Sequence, residues 1–388
     1  MKFMIFIYIL SCIISLNACS KKIVKLDNNE YKGGALHTPL PFNIFPHENS
    51  YSLSSISDSL LKNKLDDNIE TIISTQNING ISMSILIPNK GIWQLNSGYI
   101  EIGDSTLVDS TSLFYWASVS KLITSTIIHQ LILEQKLEAT DKLSKWFPQF
   151  EQADEITIKQ LLQHTNGIYS FNNDSTFHFS NRFHAPSELL GISLSEDNLF
   201  SPGEYWSYNN TGYLLLALIS EDIESKSFSQ IVQERISAPQ NLSSLQALAP
   251  NEQPANLALA HHQGLPVEAH YSTPLGAGNI VGSSKDMTLF FHALLTGKYI
   301  PMESVHNMLG ELYPMFNAGQ YYGAGIMLYD FNEINNSPNQ WIGHSGGIEN
   351  YKAILIFDIK KQVMCSLSVS QSIPVEAIAL SMLNLINE

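Results

Sequence analysis

The pattern of apolar and polar positions divides the chain into strand-like ends and a helical middle. Alternating or continuous apolar runs predict five strands, at Ile81–Ile87, Gly91–Tyr99, Tyr322–Tyr329, Tyr351–Phe357 and Val363–Val369. Helical spacing predicts helices over Leu53–Ile73, after Ser118 and after Pro374. This order predicts an α+β fold, in which an antiparallel sheet built from the N- and C-terminal segments packs with helices beside a mostly helical lobe.

A Ser-x-x-Lys sequence, Ser118-Val119-Ser120-Lys121, begins the helical middle of the chain. At this spacing Ser118 and Lys121 lie one helical turn apart on the same face. A serine hydroxyl is a weak nucleophile that needs a neighbouring base, and a desolvated lysine can serve because desolvation lowers its pKa. Backbone N–H groups at the start of the helix lie where an oxyanion would form. The motif therefore predicts Ser118 as a nucleophile and Lys121 as its base.

A second Ser-x-x-Lys, Ser59-Leu60-Leu61-Lys62, shows the other interpretation of this spacing. Charged residues that include Lys64 and Asp66 follow it, which is typical of a solvated helix face. The motif is common by chance, so the preference for Ser118 depends on two further segments of the chain.

The segment Tyr208-Asn209-Asn210 is the only Tyr-x-Asn in the chain, and it lies on a loop just before the apolar helical run Leu214–Ile219. A tyrosine near a lysine ammonium ionises more easily and can act as a general base. An asparagine can hold the lysine and a substrate amide at the same time. The alternative interpretation is an Asn/Gly turn with a packed tyrosine.

The segment Gly343-His344-Ser345-Gly346-Gly347 precedes the predicted strand Tyr351–Phe357. Glycines beside a strand let another backbone approach closely, so a substrate could lie along this edge as an added strand. The backbone N–H of Gly347 is a candidate oxyanion donor. A glycine turn between two strands is the alternative interpretation.

In chain order, these segments resemble the motifs of the penicillin-recognising serine hydrolases, which are Ser-x-x-Lys, Tyr-x-Asn and Lys/His-Thr/Ser-Gly. The sequence is most similar to the class C β-lactamase-related branch, which includes D,D-peptidases, D-aminopeptidases and esterases. The stretches Leu161–Gly167 and Gly276–Met287 also resemble that branch. The resemblance runs from about Ile69 to the C-terminus and implies a β-lactamase/transpeptidase-like fold.

The resemblance also implies roles for the residues of the first two motifs. Ser118 would be the acylated nucleophile, and Lys121 and Tyr208 would share the base and proton-shuttle work. Asn210 would hold Lys121 and the amide of the substrate.

For the third motif, the resemblance implies a binding strand formed by His344, Ser345 and Gly346, and an oxyanion hole formed by the N–H groups of Ser118 and Gly347. Efficient β-lactamases of this kind usually have a lysine where this chain has His344. A lysine is a cation suited to a substrate carboxylate, whereas histidine is mostly neutral near pH 7. The His-Ser-Gly version is more similar to the peptidase and esterase relatives.

We therefore expect a serine hydrolase that cleaves an amide or ester through an acyl-enzyme, in a D-amino-acid or cell-wall-type peptide or a small ester. One alternative is a true β-lactamase. A second alternative, from another class, is a binding or sensor protein that is acylated without turnover. The sequence leaves the oligomeric state open.

Composition and histidine spacing limit which cofactors and partners we expect. The formal net charge is -15 and there are only two arginines, which argues against a nucleic-acid partner. The histidines include no His-Glu-x-x-His motif, and the adjacent His261 and His262 lack ligand-like spacing with other candidates, so neither a metal nor another cofactor is expected. Cys365 lies in an apolar run and is predicted to be a buried strand residue.

The start of the chain predicts where the protein acts. Residues 1–18 have the composition of a signal peptide, and Leu16-Asn17-Ala18-Cys19 resembles a bacterial lipobox. The apolar stretch is shorter than the roughly 20 residues of a transmembrane anchor, which is the alternative. We expect lipidated Cys19 to hold the protein outside the cytoplasm, on a bacterial membrane facing the periplasm or the cell surface. Residues 19–58 are predicted to be Cys19 and a flexible tether, and residues 59–388 the hydrolase domain.

Overall fold

The computed structural model describes residues 30–386, except residues 104, 179–181, 263–264, 268 and 349. The predicted signal peptide and Cys19 lie outside the described residues. In the part of the chain that is described, no helix has both the length and the apolar character needed to cross a membrane.

The described residues form thirteen strands and eleven α-helices. The strands are Gly80–Ile87 (β1), Gly91–Gly98 (β2), Phe114–Tyr115 (β3), Gln246–Ala247 (β4), His261–His262 (β5), Leu265–Pro266 (β6), Ile280–Gly282 (β7), Tyr313–Pro314 (β8), Gln320–Tyr322 (β9), Met327–Asp330 (β10), Gln340–Ile348 (β11), Tyr351–Asp358 (β12) and Val363–Val369 (β13). The helices are Ser59–Gln76 (α1), Ser120–Leu133 (α2), Ile158–Gln163 (α3), Ser175–His178 (α4), Pro186–Leu194 (α5), Asn210–Glu224 (α6), Phe228–Val232 (α7), Ser284–Leu295 (α8), Met302–Met308 (α9), Phe331–Asn335 (α10) and Val375–Leu383 (α11).

The main sheet has eight strands in the order β2-β1-β13-β12-β11-β10-β9-β8. All of its neighbouring strands are antiparallel. The two ends of the chain meet where β1 pairs with β13, with Ile81 opposite Val369 and Ile85 opposite Cys365. This confirms the prediction of an antiparallel sheet built from N- and C-terminal segments.

Helices cover both faces of this sheet. Helix α8 packs against β1 and β13, whereas α11 packs against β12, β13 and α1. Side chains on a strand alternate between the two faces, and those of β12 enter two separate cores. Leu355 and Phe357 join the core shared with the helical lobe, and Ile354 and Ile356 join the core under α1 and α11. Every residue of β1 and β13 is buried, and serine is the only polar residue type in the two strands, as expected for strands covered on both faces.

Two predicted elements have different bounds in the structure. The predicted strand Tyr322–Tyr329 is divided into β9 and β10, because Gly323 and Gly325 turn the backbone between them. The φ of Gly325 is +81°, and a side chain there would meet Ser125. The helix predicted from Leu53 begins at Ser59, where the Asp58 carboxylate caps it by accepting from the N–H of Leu61 at 3.0 Å.

Residues 30–58 differ from the predicted tether, because they lie against the hydrolase domain. Leu40, Ile44 and Phe45 are buried in the core shared with the helical lobe. The backbone of His37 pairs with Leu312, and that of Ser55 pairs with Ile92. These apolar residues follow neither helical nor strand spacing, so the sequence pattern did not indicate that they would be buried.

Candidate active site

Ser118 and Lys121 lie at the junction of a short 3₁₀ turn, Ala117–Val119, and helix α2. Because the turn continues into the helix, the two side chains lie on one face, and the Nζ atom of Lys121 is 3.1 Å from the Oγ atom of Ser118. Ser118 is partly exposed, whereas Lys121 is fully buried. The reactive hydroxyl is therefore accessible while its neighbouring amine is shielded from water.

The buried amine of Lys121 has only neutral partners among the described residues. Its Nζ atom donates to the backbone carbonyl of Ala277 at 2.7 Å and lies 4.8 Å from the centre of the Tyr208 ring. No ion pair joins Lys121 to a carboxylate in the described part of the chain. Burial lowers the pKa of Lys121 well below its ordinary value. Such a lysine is suited to accept the proton of Ser118.

The carbonyl of Ala277 is a partner of Lys121 that the sequence motifs did not identify. It belongs to a turn in which the N–H of Gly276 donates to Asn279 at 2.9 Å, and the Thr124 hydroxyl donates to the carbonyl of Gly276 at 2.6 Å. Thr124 is one turn beyond Lys121 on α2, so the turn is fixed to the same helix. The glycine-rich stretch was the available signal, but a backbone acceptor has no side-chain signature.

Tyr208 lies on the loop before α6 and lines the same cavity as Ser118. Its side chain interacts with that of Ser118, and burial raises the pKa of Tyr208 above its ordinary value. The ring of the buried His164 packs beside it, with the centres 4.5 Å apart. Because the phenol is held in its protonated form, Tyr208 is suited to donate a proton, and Lys121 is the better base of the two.

The two asparagines that follow Tyr208 have different functions. Asn209 caps α6, because its side chain accepts from the N–H of Gly212 at 2.6 Å. Asn210 donates from its amide to the Oδ1 atom of Asn172 at 2.9 Å. The predicted contact between Asn210 and Lys121 is absent from the described hydrogen bonds of both residues, since Ala277 takes that place. The Asn210 amide lines a cavity beside Ser118 and remains positioned for a substrate amide.

His344, Ser345, Gly346 and Gly347 lie within strand β11, in place of the glycine turn between two strands that was the alternative interpretation. Strand β10 pairs with β11 only as far as Gly343, which lies opposite Met327. The rest of β11 pairs with β12 alone among the described strands, so the edge facing Ser118 has no strand partner. This is the geometry that permits an extended substrate to add to the sheet.

Gly346 brings this edge against the nucleophile. A Cβ atom at Gly346 would lie 2.3 Å from the carbonyl oxygen of Trp116 and 2.9 Å from the backbone nitrogen of Ser118. A side chain at this position would therefore push the strand away from Ser118. Ala117 has a φ of +47°, which is uncommon for a residue with a Cβ and places strain immediately before the nucleophile.

His344 is buried and cannot act as a substrate-binding cation. Its Nε2 atom is 3.1 Å from the Tyr322 hydroxyl, and its Nδ1 atom is 2.6 Å from the carbonyl of Ser345. Burial and the nearby Lys121 lower the pKa of His344 to about 3. These contacts fix the imidazole within the sheet, and both His344 and Ser345 line the larger cavity beside Ser118.

Two cavities meet at Ser118 and Gly347, which line both. The larger has a volume of 490 Å³ and is lined on one side by Tyr208 and Ser345. The smaller, of 280 Å³, is lined by Asn210 and several aromatic side chains, which include Phe171, Phe177 and Tyr271. A substrate could therefore place one group on each side of the nucleophile.

The described residues contain one group with metal-ligand geometry, formed by His37, Asp330 and Glu333. The Nε2 atom of His37 lies 3.0 Å from Asp330, and Glu333 accepts from the hydroxyl of Tyr321 at 2.8 Å. None of the three lines the cavities beside Ser118. Through the contact between His37 and Asp330, the segment before α1 is joined to the end of β10.

Comparison with known proteins agrees with this geometry. A family model described as Beta-lactamase matches residues 65–383. Penicillin-binding protein 4* of Bacillus subtilis (strain 168) is 26% identical over 287 residues, which cover 67% of this chain and 61% of that protein. Protein flp of Staphylococcus aureus (strain MW2) is 24% identical over 319 residues, covering 77% of this chain and 61% of that protein. The chain thus spans about three fifths of the length of these relatives.

Solved structures confirm the predicted β-lactamase/transpeptidase-like fold. The D-amino acid amidase of Ochrobactrum anthropi SV3 superposes with a TM-score of 0.74 at 21% identity, over 83% of this chain and 98% of the amidase. A penicillin-binding protein of Bacillus halodurans superposes with a TM-score of 0.72 at 20% identity, over 82% of this chain and 98% of that protein. At these identities the likeness establishes the fold.

Proposed function

Because the chain belongs to the Beta-lactamase family of serine hydrolases, we propose that it cleaves an amide or ester bond through an acyl-enzyme formed on Ser118. The observation that carries the proposal is the buried Lys121 amine, which is 3.1 Å from the Ser118 hydroxyl and has no carboxylate partner among the described residues. A neutral amine at this distance can take the proton of the hydroxyl as the hydroxyl becomes a nucleophile.

In the proposed first step, Lys121 takes the Ser118 proton while the Oγ atom bonds to the substrate carbonyl carbon. The carbonyl oxygen becomes negatively charged between the backbone N–H groups of Ser118 and Gly347. Tyr208 gives its proton to the leaving nitrogen or oxygen as the bond to carbon breaks, and it regains a proton from the Lys121 ammonium. Water then attacks the serine ester, releases the acid and restores the Ser118 hydroxyl.

For the substrate, we propose a D-amino-acid or cell-wall-type peptide, or a small ester, rather than a β-lactam. His344 is neutral and buried, so the strand offers no cation at the position where efficient β-lactamases usually have lysine. The structural similarity to the D-amino acid amidase of Ochrobactrum anthropi SV3 supports the same class of acyl donor. The unpaired edge of β11 is suited to an extended peptide.

We also propose that the protein is a lipoprotein, held outside the cytoplasm by lipidated Cys19. The support is the lipobox-like sequence that ends the apolar stretch at the start of the chain. Growth of the producing cells with labelled palmitate would test it. We expect label on the wild-type protein and none on Cys19→Ala; equal labelling of the two would refute the anchor.

The test of the nucleophile uses the full chain in detergent, treated with a fluorescent penicillin and with a fluorophosphonate, and mass spectrometry of the adduct. We expect an adduct on Ser118 that is absent from Ser118→Ala. Labelling by fluorophosphonate alone favours the amidase or esterase, and labelling by penicillin with rapid release favours a β-lactamase. A stable penicillin adduct without product favours the sensor, and no adduct with either reagent on folded protein refutes the proposal.

A further inference from the structure

The two cavities beside Ser118 differ in charge. The larger one is lined by a single cation, Lys352, and a single anion, Glu376, both half-buried. Neither side chain has a hydrogen bond or an ion pair with any residue that the structure describes, and they do not pair with each other. Here the two opposite charges face the same cavity, next to the candidate nucleophile.

Lys352 lies directly beside the predicted oxyanion donor. It is opposite Gly347 in the β11–β12 pair. A Cβ atom at Gly347 would lie 2.7 Å from the Lys352 Nζ atom, so the absence of a side chain at Gly347 leaves the space that the ammonium occupies. A carboxylate bound to this ammonium would therefore lie within a few bonds of a carbonyl attacked by Ser118.

Glu376 enters the same cavity from another element. It is in the first turn of α11, which follows Pro374, and the helix dipole favours an anion at this end. Because α11 and β12 are packed together, the separation of Glu376 from Lys352 is fixed by the core. A ligand must supply one charge of each sign to satisfy both residues.

Tyr208 identifies which part of a substrate occupies this cavity. Tyr208 lines only the larger cavity, whereas Asn210 lines only the smaller one. A proton donor must face the atom that leaves. The leaving group therefore lies in the larger cavity, and the acyl group lies in the smaller, aromatic one.

Building on the proposed function, we propose that the larger cavity is a subsite for a leaving group that carries both a carboxylate and an ammonium. Lys352 binds the carboxylate and Glu376 binds the ammonium. An amino acid whose α-nitrogen belongs to the cleaved amide carries a free carboxylate. It also carries an ammonium when its side chain ends in an amine, as in a diamino acid.

The test measures binding by calorimetry to the full chain carrying Ser118→Ala, so that turnover does not interfere. Four ligands, in both enantiomers, vary the charges independently: Nα-acetyl-lysine, Nα-acetyl-norleucine and the carboxamides of both. We expect Nα-acetyl-lysine to bind about tenfold more tightly than the analogues that lack either charge.

Variants assign each charge. Glu376→Gln should remove the preference for lysine over norleucine and keep the preference for carboxylate over carboxamide. Lys352→Met should remove the preference for carboxylate over carboxamide and keep the preference for lysine over norleucine. Glu303→Gln is the matched control, because Glu303 also occupies the second position of a helix that follows a proline, at Pro301, and is exposed. Glu303→Gln should keep both preferences.

Equal affinity for the four ligands, or preferences that persist in Glu376→Gln and Lys352→Met, would overturn the subsite. Labelling of Ser118 by fluorophosphonate in the wild-type chain is measured separately. Labelling of Ser118 without a charge preference would support the proposed hydrolase and refute the proposed subsite. A charge preference without labelling of Ser118 would support the proposed charge-binding subsite and refute the proposed hydrolase.

Discussion

Two Ser-x-x-Lys sequences in this chain have the same spacing and lie at the start of a helix, yet their surroundings differ. In the motif at the start of α1, the Lys62 side chain is 52% exposed and its Nζ atom pairs with Asp66 at 2.5 Å. In the motif at the start of α2, Lys121 is fully buried and donates to Ser118 and to a backbone carbonyl. The comparison separates the effect of the spacing, which sets the positions of the hydroxyl and the amine, from the effect of the surroundings on the amine.

Spacing places a hydroxyl and an amine on one helix face, but it does not decide whether the amine can act as a base. The Lys62 side chain is half exposed and pairs with the Asp66 carboxylate. Lys121 has neither this exposure nor a carboxylate partner among the described residues, and burial lowers its pKa. We infer that the chemistry of the motif depends on the loop that brings Ala277 and on the strand that brings Gly346 against the helix.

The largest expected effect comes from removing the amine of each motif. Lys121→Ala should reduce the rate of Ser118 acylation by about 10³-fold or more, because the nucleophile loses its base. Lys62→Ala should keep the wild-type rate. Stopped-flow measurement of acylation by an activated ester would compare the two. A large loss in Lys62→Ala, or a nearly active Lys121→Ala, would show that the wrong motif has been assigned.

Removal of the Tyr208 hydroxyl should have the next largest effect, and it should depend on the leaving group. Tyr208→Phe should slow cleavage of an amide by about 10²-fold, because an amine must be protonated as it leaves. Cleavage of a p-nitrophenyl ester should slow much less, since nitrophenolate leaves without a proton. Parallel kcat/KM values for an amide and an ester with the same acyl group would test this. Equal losses on both would indicate that Tyr208 acts as the base.

The fold and the proximity of the motif residues could be predicted because both follow from local patterns. Mostly apolar runs predict β1, β12 and β13, since strands buried on both faces carry few polar residues. Three short motifs predicted that Ser118, Lys121 and Tyr208 would lie together, as they do in the structure. Their catalytic roles remain predictions.

Other features depend on segments that meet only in the folded chain. The carbonyl of Ala277 could not be predicted as a partner of Lys121, because every residue has such a group. Lys352 and Glu376 belong to no motif and face one cavity only because β12 packs against α11. Gly343–Gly347 has few bulky apolar residues, so its apolar pattern did not predict a strand, and only the resemblance implied one for His344, Ser345 and Gly346.

The pH dependence of acylation should follow the buried lysine. Lys121 must be neutral to accept a proton, so the rate should rise up to about tenfold per pH unit below its lowered pKa and level off above it. The pKa of His344 is about 3, so that residue should add no step between pH 5 and pH 8. Acylation rates measured from pH 5 to pH 10 would test this. A rate that falls as the pH rises would contradict a lysine base.

The smallest effect is on stability, where the two lysines should again differ. In the unfolded chain Lys121 has an ordinary pKa near 10.4, and in the folded chain its pKa is lower. Between these two values the unfolded chain binds more protons, so this residue destabilises the fold increasingly as the pH falls from about 10.4 to the folded pKa.

Lys121→Met keeps the length of the side chain and removes the amine, so it should raise the free energy of unfolding at pH 7 by about 1–2 kcal/mol, with a smaller gain at pH 10. Lys62→Met should change it by less than about 0.5 kcal/mol at both pH values, since exposed ion pairs contribute little. Urea unfolding at the two pH values measures both variants. If Lys121→Met were destabilising, the bonds of Lys121 to Ser118 and Ala277 would contribute more to the fold than burial of the amine costs. In that case the lysine would be a structural residue that also lies beside the nucleophile. Lys121 and Lys62 would then differ in burial and contacts, and not in their ability to act as a base.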